Sequence, residues 1–321
     1  MLILVLEAST SSAKALLYKS GVGVLDTCST PYSPLIGNRA TYDAEGLIRE
    51  VLATGAALLA RNKVDRVDMV APCSIWGHSL VLLDSAGSAA SPIKTWENTE
   101  ASSTASRYRA DEELYNTLYN RTGCPIHTTY TLWKYIHEKE AGHISGTPKI
   151  ASMPDYLFLT LTGELASSRS VASACGFQNV HSLDYDQLAL SLAGVEPHQL
   201  PRLVDSEYSA PLAPPAAALL GLAAGTPVMI TGADGCMNQV AAGALGSHIM
   251  TVSVGTSAAM RITVDKPTLA PQPSTWCYVG VEGTWICGSA TAGAGNCVDW
   301  AHSRIAGSIT SSFKALDEDA V

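Results

Sequence analysis

Short apolar runs at Ile3 to Glu7, Ala13 to Tyr18, Val67 to Pro72, Leu80 to Asp84, Val228 to Thr231, Met250 to Val254, Ala259 to Val264 and Thr284 to Cys287 predict strands. The stretches between them change period. Ala44 to Arg61 sets Leu47, Ile48, Val51, Leu52 and Leu58 on one side of a helix, and Asp111 to Arg121 and Leu132 to Lys139 also have helical composition. Strands and helices mixed in this order predict an α/β protein.

The pattern also repeats. ILVLEASTSSAKALLY near the N-terminus is similar to IMTVSVGTSAAMRITV near residue 250, each reading as strand, small hydroxyl-rich turn, strand. Aligned, Glu7 faces Ser253, Ser9 faces Gly255, Thr10 faces Thr256 and Ser11 faces Ser257. Two similar domains, each opening with a β-hairpin, are the expectation, although short apolar hairpins with Ser/Thr turns also recur by chance.

A third pattern concerns one acid. In PVMITGADGCMNQVAAGAL, an apolar run from Pro227 to Ile230 and the turn Thr231-Gly232-Ala233 precede helical composition from Gly235 to Leu245, with Asp234 at the mouth between them. Asp234 is suited to capping the helix by accepting a backbone N–H. It is equally placed to face the crevice at the carboxyl end of the strand, where ligands of open α/β sheets collect. The two roles are compatible.

Composition narrows the classes. A chain of 321 residues with 47% hydrophobic and 15% charged residues can bury a large core, in one large domain or two. Its net charge of -9 and lack of Lys/Arg clusters exclude a phosphate-backbone binder, so no nucleic acid is expected as partner. The eight cysteines contain no Cys-x-x-Cys pair, which suits reduced thiols in a cytoplasmic protein. MLILVLEAST lacks the basic start of a signal peptide, and no apolar run approaches the roughly 20 residues of a membrane span, so no membrane is expected.

Turns of Ser, Thr and Gly present backbone N–H groups and hydroxyls without bulk, which is what a polyphosphate requires, and two facing turns can clamp one nucleotide. Lys14 then supplies positive charge and Glu7 holds Mg²⁺ directly or through water. The plainer alternatives are an exposed strand lysine and a satisfied strand-end acid. Phosphoryl transfer also needs a group that orients the attacking hydroxyl and takes its proton, and Asp234 fits that task. For a polyol, SIWGHSLVLLD and PIKTWENTEAS offer Trp76, His78, Trp96 and Asn98 for stacking and hydrogen bonding, each of which also has an ordinary packing or capping role.

Taken in order, LEASTSSAKALLY, SIWGHSLVLLD, TWENTEAS, MPDYLFLTLTGELASSRSVAS and GTPVMITGADGCMNQVAAGAL with TVSVGTSAA resemble the successive motifs of the FGGY family of carbohydrate kinases. The resemblance implies an actin-like fold of duplicated ribonuclease-H-like domains, with sugar and ATP meeting in the cleft between them. The expected division is a sugar-binding domain over residues 1–245 that carries the first phosphate loop, and the start of a nucleotide-binding domain over 246–321. By resemblance Asp234 is the general base and shares the metal site with Glu7. Thr10, Ser11, Ser12 and Lys14 form the first phosphate loop, Gly255, Thr256 and Ser257 approach the ATP phosphates, and His78 is the sugar-loop histidine. TWCYVGVEGTWICGSATAGAGNCVDWAHS is most similar to the gluconate kinases, which makes gluconate the first choice of substrate, ahead of xylulose and other polyols.

The sequence departs from that pattern at several points. The sequence ends with SSFKALDEDAV, so by the resemblance the second domain is expected to be incomplete and the adenosine-binding part of the ATP site missing, whether because this is a fragment of a longer kinase or because the protein is naturally short. An unfinished core exposed to water is destabilising unless another chain covers it, which admits a homodimer. Glu7 stands where the family has Asp, and Ser9 stands where it has Gly, so a side chain at Ser9 is expected to crowd the phosphate approach. Trp76 replaces Gln, Asn98 replaces Asp, and Glu100 replaces the Arg that would suit an anionic sugar. An active ATP-dependent kinase with Mg²⁺ and a non-catalytic sugar-binding relative both remain open.

Overall fold

The computed structural model describes residues 1–301 and Arg304, apart from Pro34, Leu35, Arg39, Ile75, Thr256, Glu282, Ala292, His302 and Ser303. Of the expected phosphate contacts, Thr256 therefore lies outside the described residues, as does the chain from 305 onward.

Leu2–Ala8 and Ser12–Lys19 form an antiparallel hairpin in the register Glu7 to Lys14, and Gly23–Pro31 adds a third antiparallel strand. Met69–Ser74 lies parallel on the other side of Leu2–Ala8, Pro227–Met229 lies parallel beyond it, and Ser209–Pro211 closes the edge antiparallel. Three antiparallel strands followed by parallel additions give the ribonuclease-H-like order expected from the motifs. Gly23–Pro31 has no clear sequence signal because it is an edge strand with mostly exposed or half-buried positions.

The helix Ala44–Arg61 covers this sheet. Asp43 caps it by accepting the Gly46 N–H at 3.0 Å, and Leu47, Ile48, Val51, Leu52 and Leu58 are all buried, as their spacing requires. Each fully buried leucine contributes about 1.5–3 kcal/mol of transfer free energy. Thr131–Glu140 and Glu112–Thr122 likewise match their sequence patterns within a residue at each end.

The second repeat also forms a hairpin, with Met250–Val254 antiparallel to Ala258–Val264. Its turn is one residue shorter than the first, because Val254 pairs with Ala258 whereas Ala8 pairs with Ala13. Trp285–Thr291 and Trp276–Val279 extend it to a four-stranded antiparallel sheet. Among the described residues this second unit therefore has four strands in its sheet, against six in the first.

Several hydrogen bonds join the units. The Trp285 indole donates to the Val180 carbonyl at 3.0 Å, and the Cys277 N–H donates to the Gly123 carbonyl at 2.9 Å. Tyr278 is buried within the same apolar cluster as Trp133, Phe177 and Leu190 of the first unit.

Candidate active site

Asp234 opens the helix Asp234–Ala241 instead of capping it. The capping position is taken by Ala233, whose side chain makes no cap bond, so the Asp cap expected from the local sequence does not form. The turn before the helix is held from outside, by the Ala233 N–H donating to the Ser170 hydroxyl at 3.2 Å. Ser170 belongs to the short helix Arg169–Ser173, and Ser173 in the same helix accepts the Val279 N–H at 2.9 Å. The serines of SSRSVAS thus fix both the acid and the facing sheet.

Asp234 faces a cavity of about 110 Å³, whose lining also includes His78, Arg261, Trp276 and Tyr278. Burial pushes the Asp234 carboxyl above the usual aspartate range. The Gly235 backbone N–H and the Arg261 guanidinium oppose this, and Glu7 adds to it. The result is a carboxylate with more affinity for a proton than one in water, which favours a general base.

His78 lies across the cavity. Its Nε2 is 3.1 Å from the Tyr278 hydroxyl, which is 2.9 Å from that of Tyr130. Burial, reinforced by the Lys134 charge, lowers the His78 imidazole to about 3, so it is neutral and offers one donor and one acceptor. The loop carrying it is fixed by Ser79. The Ser79 hydroxyl donates to the Trp76 carbonyl at 2.5 Å and accepts the Met153 N–H at 2.7 Å, while its carbonyl accepts from Thr131 at 2.8 Å.

The facing wall is aromatic. Trp276 stacks on Tyr278 with ring centroids 4.5 Å apart and planes 8° from parallel. Gly288 on the paired strand makes room for it, since a Cβ there would lie 2.4 Å from the Trp276 ring and 2.4 Å from the Met260 carbonyl.

The other expected site residues are distributed differently. Trp76 is fully buried in the main core, 4.9 Å from Tyr42 between ring centroids. Trp96 packs half-buried on that core, and Asn98 is buried with its side-chain oxygen accepting the Glu100 N–H at 3.3 Å. None of these three lines the cavity with Asp234. Glu100 is bound to Lys94, which also reaches Glu138 at 2.7 Å.

At the first turn, the Ser9 side chain turns inward. Its hydroxyl is buried and donates to the Ser12 carbonyl at 2.8 Å. Thr10 accepts the Tyr42 hydroxyl on its carbonyl at 2.8 Å, Ser11 is exposed, and Ser12 is buried. Lys14 and Glu7, opposite each other on paired strands, form an ion pair at 3.5 Å. At the second turn, the Gly255 N–H donates to the Ser257 carbonyl at 2.8 Å, and Ser257 is exposed. Among the described residues no three His, Cys, Asp or Glu side chains cluster as a metal site, and no helix is long and apolar enough to cross a membrane.

Of the residues expected from the sequence, Asp234 and His78 share one cavity, whereas the sequence assigned no site role to Arg261, Trp276, Tyr278, Tyr130 or the bracing serines. A lone arginine in the apolar strand TSAAMRITV and the same-face pair in TWCY were the available signals.

The solved gluconate kinase from Lactobacillus acidophilus superposes with a TM-score of 0.87 at 23% identity, over 94% of this chain and 62% of that one. The xylulose kinase from Rhodospirillum rubrum superposes at 0.89 and 20% identity, over 99% and 66%. The fold is thus the actin-like arrangement of these kinases. The gluconokinase of Bacillus subtilis is 28% identical over 310 residues, which are 94% of this chain and 60% of that protein. The chain spans about 60% of the length of this curated relative. Residues 2–241 match the N-terminal domain of the FGGY family of carbohydrate kinases, well over half of the sequence, and the chain belongs to that family.

Proposed function

We propose that this chain carries the sugar-binding part of an ATP-dependent carbohydrate kinase with gluconate as substrate and Asp234 as general base. The observation that carries the proposal is the convergence of Asp234, neutral His78 and the Trp276/Tyr278 wall on one cavity. The gluconokinase relatives support the choice of sugar. The domain division near residue 245 is part of the same proposal, and so is a cytoplasmic location.

In this mechanism the sugar carbon chain lies against the Trp276 and Tyr278 rings, with His78 hydrogen-bonded to a hydroxyl. Asp234 orients the hydroxyl to be phosphorylated and takes its proton as the new P–O bond forms and the bond to ADP breaks. Bound ATP supplies the phosphoryl group, and Mg²⁺ neutralises its charge. The donor chemistry fits both. Exposed Ser11 and Ser257 at the two turn tips, with Thr10, Ser12, Lys14, Gly255 and Thr256, would hold phosphates, and Mg²⁺ binding to phosphates needs only one or two protein carboxylates, here Glu7 and Asp234.

A second reading, a sugar-binding relative without turnover, is favoured by the Lys14–Glu7 pair, which engages the expected phosphate lysine and metal acid with each other. Coupled measurement of ATP consumption with gluconate, xylulose and glycerol separates the two. Turnover with one sugar that is lost in Asp234→Asn supports the kinase, whereas sugar binding without turnover supports the second reading.

A further inference from the structure

We propose that Arg261 is the counter-ion for a carboxylate on the substrate, which makes this a site for a sugar acid in preference to a neutral sugar. The inference rests on the kinase reading above and adds the residue that sets the substrate class.

Arg261 sits in the strand Ala258–Val264, opposite Thr251 on one neighbour and Gly288 on the other. Its side chain crosses to the mouth of the Asp234 helix, because Gly235 has no Cβ. A Cβ there would lie 2.8 Å from the Arg261 Nε. One terminal nitrogen donates to the Ser253 hydroxyl at 2.9 Å, which orients the guanidinium. That leaves further N–H donors of the planar fork for a ligand.

Three features point to an anionic ligand. Among the described residues lining the cavity, Arg261 is the only basic side chain apart from the neutral His78. It forms no ion pair within 4.0 Å among the described residues; its charge acts on the Asp234 carboxylate across the cavity without a direct salt bridge, which leaves the fork itself without a carboxylate partner. The remaining wall is largely apolar or aromatic, which strengthens the attraction between a guanidinium and a carboxylate. The fork binds a carboxylate with two parallel bonds, a geometry that a neutral CH₂OH group cannot match. Glu100 and its partner Lys94 are engaged with each other elsewhere and bring no positive charge to this cavity.

The test is calorimetric titration of the full chain with gluconate and with sorbitol, which replaces the carboxylate by CH₂OH on the same carbon skeleton, in wild type, Arg261→Gln and Arg261→Lys. The expected result is a wild-type preference for gluconate, with Arg261→Gln binding gluconate about 10- to 150-fold more weakly, the usual range for a hydrogen bond to a charged group. Sorbitol binding should fall by much less than gluconate binding, and Arg261→Lys should lie between. A gluconate preference that survives in Arg261→Gln overturns the proposal. Equal loss for both ligands also overturns it, and assigns Arg261 to pocket shape. Wild type that binds sorbitol as well as gluconate overturns the sugar-acid inference and leaves a polyol kinase standing, whereas binding of neither overturns both. Should Arg261→Gln fail to fold, salt dependence in wild type decides. Gluconate binding must weaken with added salt while sorbitol binding does not, and parallel behaviour overturns the proposal.

Discussion

The His78 imidazole and the Tyr278 hydroxyl, 200 positions apart in the chain, meet at 3.1 Å and join the sugar-loop segment of the first unit to the sheet of the second. Tyr278 also meets Tyr130 at 2.9 Å, so one buried hydroxyl serves two partners. Tyr278→Phe is expected to lower stability by about 1–2 kcal/mol, because two buried polar groups lose their partner while the ring stack on Trp276 is kept. Denaturant midpoints of the two proteins check this.

Asp234→Asn keeps the shape of the side chain and removes its basicity. A drop in kcat of about 10²–10⁴ is expected with the fold unchanged. On the proposed kinase reading Asp234 must be ionised to act as the base, and burial raises its pKa, so kcat/KM should rise with pH through a value above the ordinary aspartate 3.8. A pH–rate profile with its acidic limb at or below the ordinary value would contradict the role of burial at this residue.

Gly123 ends the helix Glu112–Thr122 with φ of 69°, and a Cβ there would sit 2.2 Å from the Cys277 carbonyl oxygen. The residue is both a left-handed cap and the point where the second sheet touches the first unit. Gly123→Ala is expected to cost about 2–4 kcal/mol, combining backbone strain with a clash that the strand must move to relieve. Thermal unfolding followed by tryptophan fluorescence reads the effect.

Lys134 is buried, and its ammonium donates to the carbonyls of Thr128 and Thr129 at 2.5 and 2.7 Å. Burial lowers its pKa to about 7 from an ordinary 10.5. Between these values the unfolded chain holds a proton that the folded chain has released, so this residue's contribution to stability rises with pH across that window and is least favourable below pH 7. Lys134→Met should remove that slope. The stability difference between variant and wild type, measured by urea unfolding from pH 6 to pH 10, should therefore shift against the variant as pH rises.

Local pattern alone determined the class of elements here. The 3.6-residue spacing of Leu47, Ile48, Val51, Leu52 and Leu58 gave a helix with those residues buried, and the two Ser/Thr-rich hairpins formed where their apolar runs required them. The order of motifs also identified the family, since each motif is a short contiguous stretch whose backbone needs are local. Whether Trp76 would reach a ligand was not local. Three aromatic rings, Tyr32, Tyr42 and Trp76, meet from separate segments and draw it into the core. The same is true of Ser9, whose hydroxyl turns inward because the Ser12 carbonyl lies within hydrogen-bond reach once the strands pair. The wall formed by Arg261, Trp276 and Tyr278 was decided only by tertiary structure, because strand register sets which side chains share a face and the Arg169–Ser173 helix sets what that face meets.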